Sequence, residues 1–275
     1  MIENVLWIAV ALMVISSVIP NIYKIRKLIG GIGWGFFSLH WAYQPFHYIA
    51  INDYANVVLT LAVAIFCALI VLTMIREYSQ ETPFSPGSSI DVTSMATSAT
   101  AIGSLFYFPF AQMPSLNLWI ISGVTNNIMW VLEMLNIPAQ LMSWNTISLN
   151  DYHVEIILAC TAIESIALFI GLIASVKAPT KRLAAAFLVS VPVIYVLNII
   201  RDVFVVIAYG EQWFGPNSFE IAHHMIAKAG SGIALFVIAY AVLRILPELL
   251  DLIDGLWRLI TNQVHNVVQK VAGNH

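Results

Sequence analysis

Long apolar runs alternate with short polar breaks along almost the entire chain. A membrane-spanning helix needs about 20 predominantly apolar residues. By that measure the pattern predicts eight helices, at 2–20, 29–50, 53–75, 96–113, 116–135, 152–176, 183–209 and 220–246. Two polar breaks, at 79–94 and 136–151, predict a loop rich in Pro, Gly and Ser and a segment at the membrane interface. The predicted fold class is therefore all-α, a polytopic integral membrane protein with about eight transmembrane helices.

The last part of the chain has a different pattern. In 247–275, apolar residues recur at helical spacing and charged residues occupy the opposite face, which predicts a C-terminal amphipathic helix on the membrane surface. We expect 1–275 to form a single membrane domain. It would comprise front helices over 1–135, further helices over 152–246 and the amphipathic tail.

Composition supports a membrane protein. Of the 275 residues, 60% are hydrophobic and only 10% are charged, whereas soluble domains carry about 25% charged residues. A transmembrane β-barrel would have short alternating segments in place of these continuous apolar runs. The formal net charge of −3 says little about partners, and we expect no nucleic acid among them. The expected localisation is a cell membrane, with the chain crossing it several times.

Basic residues indicate the orientation of the helices. Lys177, Lys181 and Arg182 lie between two predicted helices, and basic loops are cytoplasmic as a rule. The same rule places the basic residues at 24–27 inside. With eight spans, however, the two basic clusters would lie on opposite sides of the membrane. Either one predicted span does not cross the membrane, with 116–135 the first candidate, or the basic cluster at 24–27 is an exception to the rule.

Several polar residues fall at a similar depth in the last three predicted helices. Cys160 and Arg201 each lie about two turns below the outer end of their helix, and His223 and His224 lie about one turn below theirs. Polar residues in spanning segments usually face a bundle interior or a cavity. The pattern predicts that a thiol, a guanidinium and an imidazole meet near the external face.

Helical spacing suggests which polar residues lie beside Cys160 and Arg201. Cys160 and Glu164 are four residues apart and would share a helical face. Asn198 precedes Arg201 by three residues and Asp202 by four, so it could orient either side chain. Arg201 could instead serve only as a structural ion pair with one of the two acids.

The spacing leaves the choice of histidine open. His224 falls on a stripe with Glu220 and Lys228, whereas His223 points about 100° away. Either imidazole could act as the acid or base.

These residue types suit acyl transfer by a thiolate. A cysteine thiol becomes nucleophilic when a histidine takes its proton, and an arginine can stabilise the oxyanion of a tetrahedral intermediate. Cys67, in the wholly apolar run "LAVAIFCALIVL", is predicted to be an inert hydrophobe.

Two other classes remain open at this stage. An ion- or proton-coupled transporter could use Glu164, Arg201, Asp202, Lys228 and the histidines as a relay, although the chain has no recognisable repeat of the kind common in transporters. A membrane scaffold would need these residues only for folding. Membrane serine and zinc proteases are disfavoured, because the chain contains neither GxSxG nor HExxH.

Three segments, "ILACTAIESIALFIG", "VPVIYVLNIIRDVFVVIAYG" and "FEIAHHMIAKAGS", resemble the archaeosortase/exosortase family. The family pattern is a Cys in a small-residue context, an Asn-x-x-Arg on the next helix and a His on the last. Cys160, Asn198 with Arg201, and His223 or His224 fall on it in that order, with His223 preferred. The matching segments cover about a third of the chain.

The resemblance implies a membrane-embedded, sortase-like cysteine transpeptidase. Its expected substrates are secreted surface proteins with a C-terminal sorting signal: a Pro-Gly-Phe-type motif, a transmembrane helix and a basic cluster. Cys160 would form a thioester that an amine-bearing membrane lipid resolves. His223 or His224 would be the acid and base and Arg201 the oxyanion or thiolate stabiliser. Supporting roles would fall to three residues, Asn198, Asp202 and Glu164, and no metal or organic cofactor is implied.

Overall fold

The computed structural model describes residues 2–20, 24–79 and 91–272. The front of the chain forms five helices: α1 (Ile2–Val18), α2 (Ile25–Ala50), α3 (Tyr54–Ser79), α4 (Val92–Gln112) and α5 (Pro114–Met134). Each predicted front helix is therefore present, with ends that differ by up to four residues. The predicted loop at 79–94 lies mostly outside the described residues, and α4 begins within its last three positions.

The middle of the chain differs from the prediction. It forms three strands, β1 (Gln140–Ser143), β2 (Thr146–Leu149) and β3 (Tyr152–Glu155), followed by a 3-10 turn (Leu158–Cys160) and α6 (Ile163–Ser175). The prediction of a helix over 152–176 is thus wrong over 152–162, ahead of the first residue of α6. The segment 136–151, predicted as an interfacial break, contributes two of the strands.

The last helices lie where the sequence predicts them. α7 is Thr180–Gly210, a π-helical segment spans Glu220–Ala227, α8 is Lys228–Ile245 and α9 is Glu248–Ala272. A short 3-10 turn, Gly215–Asn217, lies between α7 and the π-helical segment. The predicted amphipathic tail is helical, and buried Leu249 and Leu252 lie near its start.

The three strands form an antiparallel sheet in the order β1-β2-β3. Asn150 and Asp151 join β2 to β3, and both have positive φ, 52° and 66°. Two such residues make a tight turn whose twist matches that of the flanking strands. Ile147 and Leu149 on β2 are 0% and 2% exposed, and they pack in a core cluster with residues of α5 and α7.

A glycine fixes the sheet against α7. A Cβ atom on Gly210 would lie 2.6 Å from side-chain atoms of Leu149, so only glycine permits this approach. Asn150 Nδ2 also donates to the Gly210 carbonyl at 3.2 Å. The sheet therefore rests on the C-terminal end of α7, the helix that carries Arg201.

Three helices among the described residues are long and apolar enough to cross a membrane: Tyr54–Ser79, Thr180–Gly210 and Glu220–Ile245. The chain is thus a mostly helical protein with clear candidate spans, and the count of eight spans is not confirmed. Two compact units are present, one formed by 1–104, 174–177 and 247–275 and the other by 105–173 and 178–246. The prediction of a single membrane domain stays a prediction.

A buried charge cluster joins α2, α3 and α4 in the first unit. Lys27 Nζ lies 2.7 Å from Glu77, donates to Thr93 Oγ1 at 2.6 Å and also binds Asp91. The three partners offset the cost of burying the ammonium group. Cys67 of α3, predicted to be inert, is 1% exposed in the core of the same unit.

Candidate active site around Cys160

Cys160 lies on a tight turn ahead of α6 and not inside a helix. Its backbone N–H donates to the Ile157 carbonyl at 2.8 Å. Thr161 Oγ1 donates to the Leu158 carbonyl at 2.7 Å, and Ala162 then adopts a left-handed φ of 56°. The prediction that Cys160 sits two turns deep in a helix is therefore wrong. The turn instead holds the half-buried thiol before the first residue of α6.

Asn198 of α7 binds this turn directly. Its Nδ2 donates to the Cys160 carbonyl at 2.6 Å and to Asp202 Oδ2 at 3.1 Å. Asn198 is buried, and its bond to Asp202 is buried whereas its bond to the Cys160 carbonyl is partly buried. One amide group thus connects the backbone of the cysteine to a carboxylate one turn further along α7.

Asp202 in turn holds Arg201. The Arg201 Nε and a terminal nitrogen both donate to Asp202 Oδ1, at 2.9 and 2.6 Å. The Arg201 side chain is 22% exposed and that of Asp202 5%. Asn198 therefore acts on Arg201 through Asp202, and the predicted Arg201–Asp202 pair is present. Because Arg201 retains exposed surface and further N–H groups, it can still bind an anion.

Burial raises the pKa of the Cys160 thiol, an effect that the backbone of Ile157 partly opposes. The charge of Asp202 raises the pKa further and that of Arg201 lowers it, so the thiol lies within electrostatic range of both. A thiol with a raised pKa is protonated at neutral pH. A nucleophilic role for Cys160 would therefore require a base.

The histidines lie in the π-helical segment and differ in environment. His223 is half-buried and stacks on Phe219, with ring centroids 5.1 Å apart and planes at 16°. The charge of Arg201 acts on His223. His224 is exposed, and its Nε2 lies 3.8 Å from Glu220, as the predicted stripe required. Among the described residues, no hydrogen bond joins either histidine to the thiol.

Glu164 has a partner that the sequence does not indicate. The Tyr107 hydroxyl of α4 donates to Glu164 Oε1 at 3.1 Å. Glu164 is the second residue of α6 and is exposed, and it does not share a helical face with Cys160 because the turn intervenes. Tyr107 stands in the apolar run "LFYFPF", where nothing distinguishes it from an interfacial aromatic residue.

A cleft of about 550 Å³ opens beside these groups. Its polar side chains include those of Glu164, Asn198 and Arg201, and its walls are mostly apolar. The walls come from the Cys160 turn, α6, α7, the π-helical segment and α8: Leu158, Ala159, Ala162, Ile163, Ser165, Ile194, Leu197, Ile200, Phe204, Ile226, Ala227, Gly230, Ser231, Ala234, Leu235 and Ile238. No group of three or more His, Cys, Asp or Glu side chains in the described part of the chain is arranged to hold a metal ion.

Known proteins provide an independent comparison. Residues 4–245 match the family described as Transmembrane exosortase (Exosortase_EpsH). Archaeosortase A of Haloferax volcanii is 26% identical over 270 residues, covering 85% of each chain. Archaeosortase A of Natronomonas pharaonis is 25% identical over 270 residues, covering 87% of this chain and 82% of the relative.

No solved structure matches the chain. The resemblance inferred from three short segments is confirmed over a much longer stretch, because the family match begins in α1 and ends with α8. The chain therefore belongs to the transmembrane exosortase family.

Proposed function

We propose that this protein is a membrane cysteine transpeptidase, with Cys160 as its nucleophile. The observation that carries the proposal is the chain of hydrogen bonds from the Cys160 carbonyl through Asn198 to Asp202 and Arg201. It ties the backbone of Cys160 to a guanidinium from a separate part of the sequence, and Ala159, next to Cys160, lines the same apolar cleft as Arg201. A structural ion pair alone would not need a bond to the backbone of a cysteine.

The proposed reaction has two steps. His223 takes the thiol proton, Cys160 Sγ attacks the scissile carbonyl, and the C–N bond breaks as the histidine returns the proton to the leaving amine. The acyl group remains on Cys160 as a thioester. Arg201, oriented by Asp202 and Asn198, stabilises the oxyanion that forms in each step.

The cleft suits a peptide bond next to an apolar segment. Its walls would accept part of the substrate's transmembrane helix, with the sorting motif beside Cys160. Arg201 follows Arg182, in the first turn of α7, by nineteen positions along the helix, which is about 28 Å at about 1.5 Å per residue. This is close to the thickness of the hydrocarbon core, so a cytoplasmic basic loop would put the site near the external face.

The relatives named archaeosortase A support the same substrate class. We propose that the chain cleaves a Pro-Gly-Phe-type C-terminal sorting signal, releases the substrate's helix and basic cluster, and transfers the protein to a membrane lipid. Membership of an exosortase family favours this enzyme over an ion- or proton-coupled transporter.

Replacing each cysteine in turn tests the nucleophile. The full chain in lipid vesicles would be given a synthetic segment with the motif, an apolar helix and a basic end. We expect Cys160→Ala to abolish release of the helix and the thioester adduct seen by mass spectrometry. Cys67→Ala, in a buried position of α3, is the matched control and should retain both. Normal release by Cys160→Ala would overturn the proposal.

A further inference from the structure

The proposed chemistry at Cys160 leaves the pair of Glu164 and Tyr107 unused. The two side chains are joined by a 3.1 Å hydrogen bond. Glu164 also lines the cleft that Asn198 and Arg201 line. The carboxylate therefore faces the space in which the second step of the reaction would take place.

The charges around the cleft favour a cation beside Glu164. Arg201 is compensated by Asp202, which accepts two of its hydrogen bonds. Among the described residues, the polar partner of Glu164 is the neutral Tyr107 hydroxyl, so no ion pair balances its charge. A carboxylate at the edge of an apolar cleft attracts a ligand with a cationic head and an apolar body.

The position of Glu164 in the first turn of α6 explains only in part why an acid stands there. An acid in the first turn of a helix is stabilised by the helix dipole, and Glu164 is the second residue of α6. That explanation accounts for the presence of an acid. It does not account for the bond from Tyr107, a residue of another helix, or for the location of Glu164 in the cleft lining.

We propose that Glu164, held by Tyr107, binds the primary ammonium group of the lipid that resolves the Cys160 thioester. This inference rests on the proposed function. Release of the substrate's helix would vacate the cleft, and the lipid's apolar chains would then occupy it with the ammonium group beside Glu164. A carboxylate in this place selects an amine over water or a neutral alcohol.

The proton balance of the second step follows. Glu164 takes one proton from the ammonium group and passes it to water, which leaves a neutral amine. The amine nitrogen attacks the thioester carbonyl, a C–N bond forms, and the C–S bond breaks with its electron pair on Cys160 Sγ. The second proton of the nitrogen passes through His223 to the thiolate, so the free thiol and an amide are regenerated.

Lipid binding tests the site without any turnover. The full chain in detergent, with no sorting segment, would be mixed with equal amounts of phosphatidylethanolamine and phosphatidylglycerol that have the same acyl chains. We expect native mass spectrometry to show a preference for phosphatidylethanolamine that falls about fivefold in Glu164→Gln, the effect of one exposed ion pair. Tyr107→Phe should lower it less, because the carboxylate remains.

Glu133→Gln is the matched control, because Glu133 is an exposed acid of the same unit that lies outside this cleft. It should keep the wild-type preference. An unchanged preference in Glu164→Gln would overturn the inference, and so would an equal loss in Glu133→Gln. If Glu164→Gln does not fold, the lipid preference is measured in Tyr107→Phe instead. An unchanged preference for phosphatidylethanolamine in that variant would count against an ammonium site at Glu164.

A turnover measurement separates this inference from the proposed function. In vesicles of phosphatidylethanolamine, the ratio of lipid amide to hydrolysed product should fall about fivefold in Glu164→Gln. If the Cys160 thioester forms but the product ratio in Glu164→Gln equals that of the wild type, the ammonium site alone is overturned. Absence of any Cys160 adduct in the wild type would overturn the proposed function. The preference for phosphatidylethanolamine would then still show whether Glu164 binds an ammonium group.

Discussion

Asn198 gives the site its geometry at the scale of single residues. One Nδ2 group reaches both the Cys160 carbonyl and Asp202, so the position of Cys160 and that of the Arg201 guanidinium depend on the same side chain. A buried donor shared in this way is costly to lose, because two acceptors are left unsatisfied. Arg201 and Cys160 are therefore held as one assembly.

The histidines can be distinguished by replacing them one at a time. We expect His223→Ala to lower the rate of helix release about a hundredfold, the usual size of a lost acid–base group. His224→Ala should change the rate little, since His224 is exposed and contacts Glu220. Release by the two variants would be compared in vesicles under the same conditions. Loss of release in His224→Ala with a normal rate in His223→Ala would reverse the assignment.

Some residues of the site could be predicted from sequence and others could not. Cys160, Asn198, Arg201 and Asp202 stand out because polar groups are costly in apolar runs, and the structure joins them by hydrogen bonds. Tyr107 could not be found this way, because it meets an acid 57 residues away and tyrosine is common near membrane interfaces.

At the scale of elements, the largest departure from the sequence prediction is the segment that leads to Cys160. Four-residue strands are too short to produce a clear alternating pattern, and the run at 156–176 remains apolar across the turn. The dipeptide Asn150-Asp151 consists of two residue types that tolerate positive φ, a turn signal that the apolar pattern obscured. The left-handed Ala162 has no sequence signal, because alanine usually favours a helix.

The small residues of α8 allow a test of the cleft. Gly230 lines the cleft and Gly232 does not, and a Cβ atom at either position would lie within 4 Å of no heavy atom beyond the adjacent residues and backbone of its own helix. We expect Gly230→Leu to lower helix release at least about tenfold by filling the cleft. Both leucine variants should be as stable as the wild type or up to about 1 kcal/mol more stable, since leucine favours a helix.

Gly232→Leu is the matched control and should release the helix at the wild-type rate. Thermal unfolding in detergent would confirm that the two proteins are equally folded. Normal release by Gly230→Leu would show that the cleft does not hold the substrate.

At the scale of the whole molecule, the two compact units carry different kinds of polar cluster. The unit that contains 105–173 and 178–246 has the candidate site, in which Arg201 and Cys160 keep some exposed surface. The other unit has the Lys27 cluster, in which Lys27 is 8% exposed and bonded on several sides. The candidate site therefore leaves polar groups available to a ligand, whereas the polar groups of the Lys27 cluster bond to one another.

The Lys27 cluster should make stability depend on pH. Burial raises the pKa of the Asp91 carboxyl, but the Lys27 ammonium group and the hydrogen bond from the Ser94 backbone N–H outweigh it and hold the pKa below its usual value. A carboxyl whose pKa is lower in the folded state stabilises that state above its unfolded pKa of about 4. The stabilisation is lost as the pH falls below that value and through the folded pKa.

Replacing Asp91 tests this dependence. We expect Asp91→Asn to lower the free energy of unfolding at pH 7 by about 1–3 kcal/mol, because Lys27 loses a charged partner but keeps Glu77. The unfolding temperature of the variant in detergent should fall less between pH 6 and pH 3 than that of the wild type. Asp151→Asn is the control, since Asp151 is exposed in the β2–β3 turn and asparagine accepts its positive φ. Parallel pH curves for wild type and Asp91→Asn would contradict the account, because the loss of stability in acid would then come from other carboxyl groups.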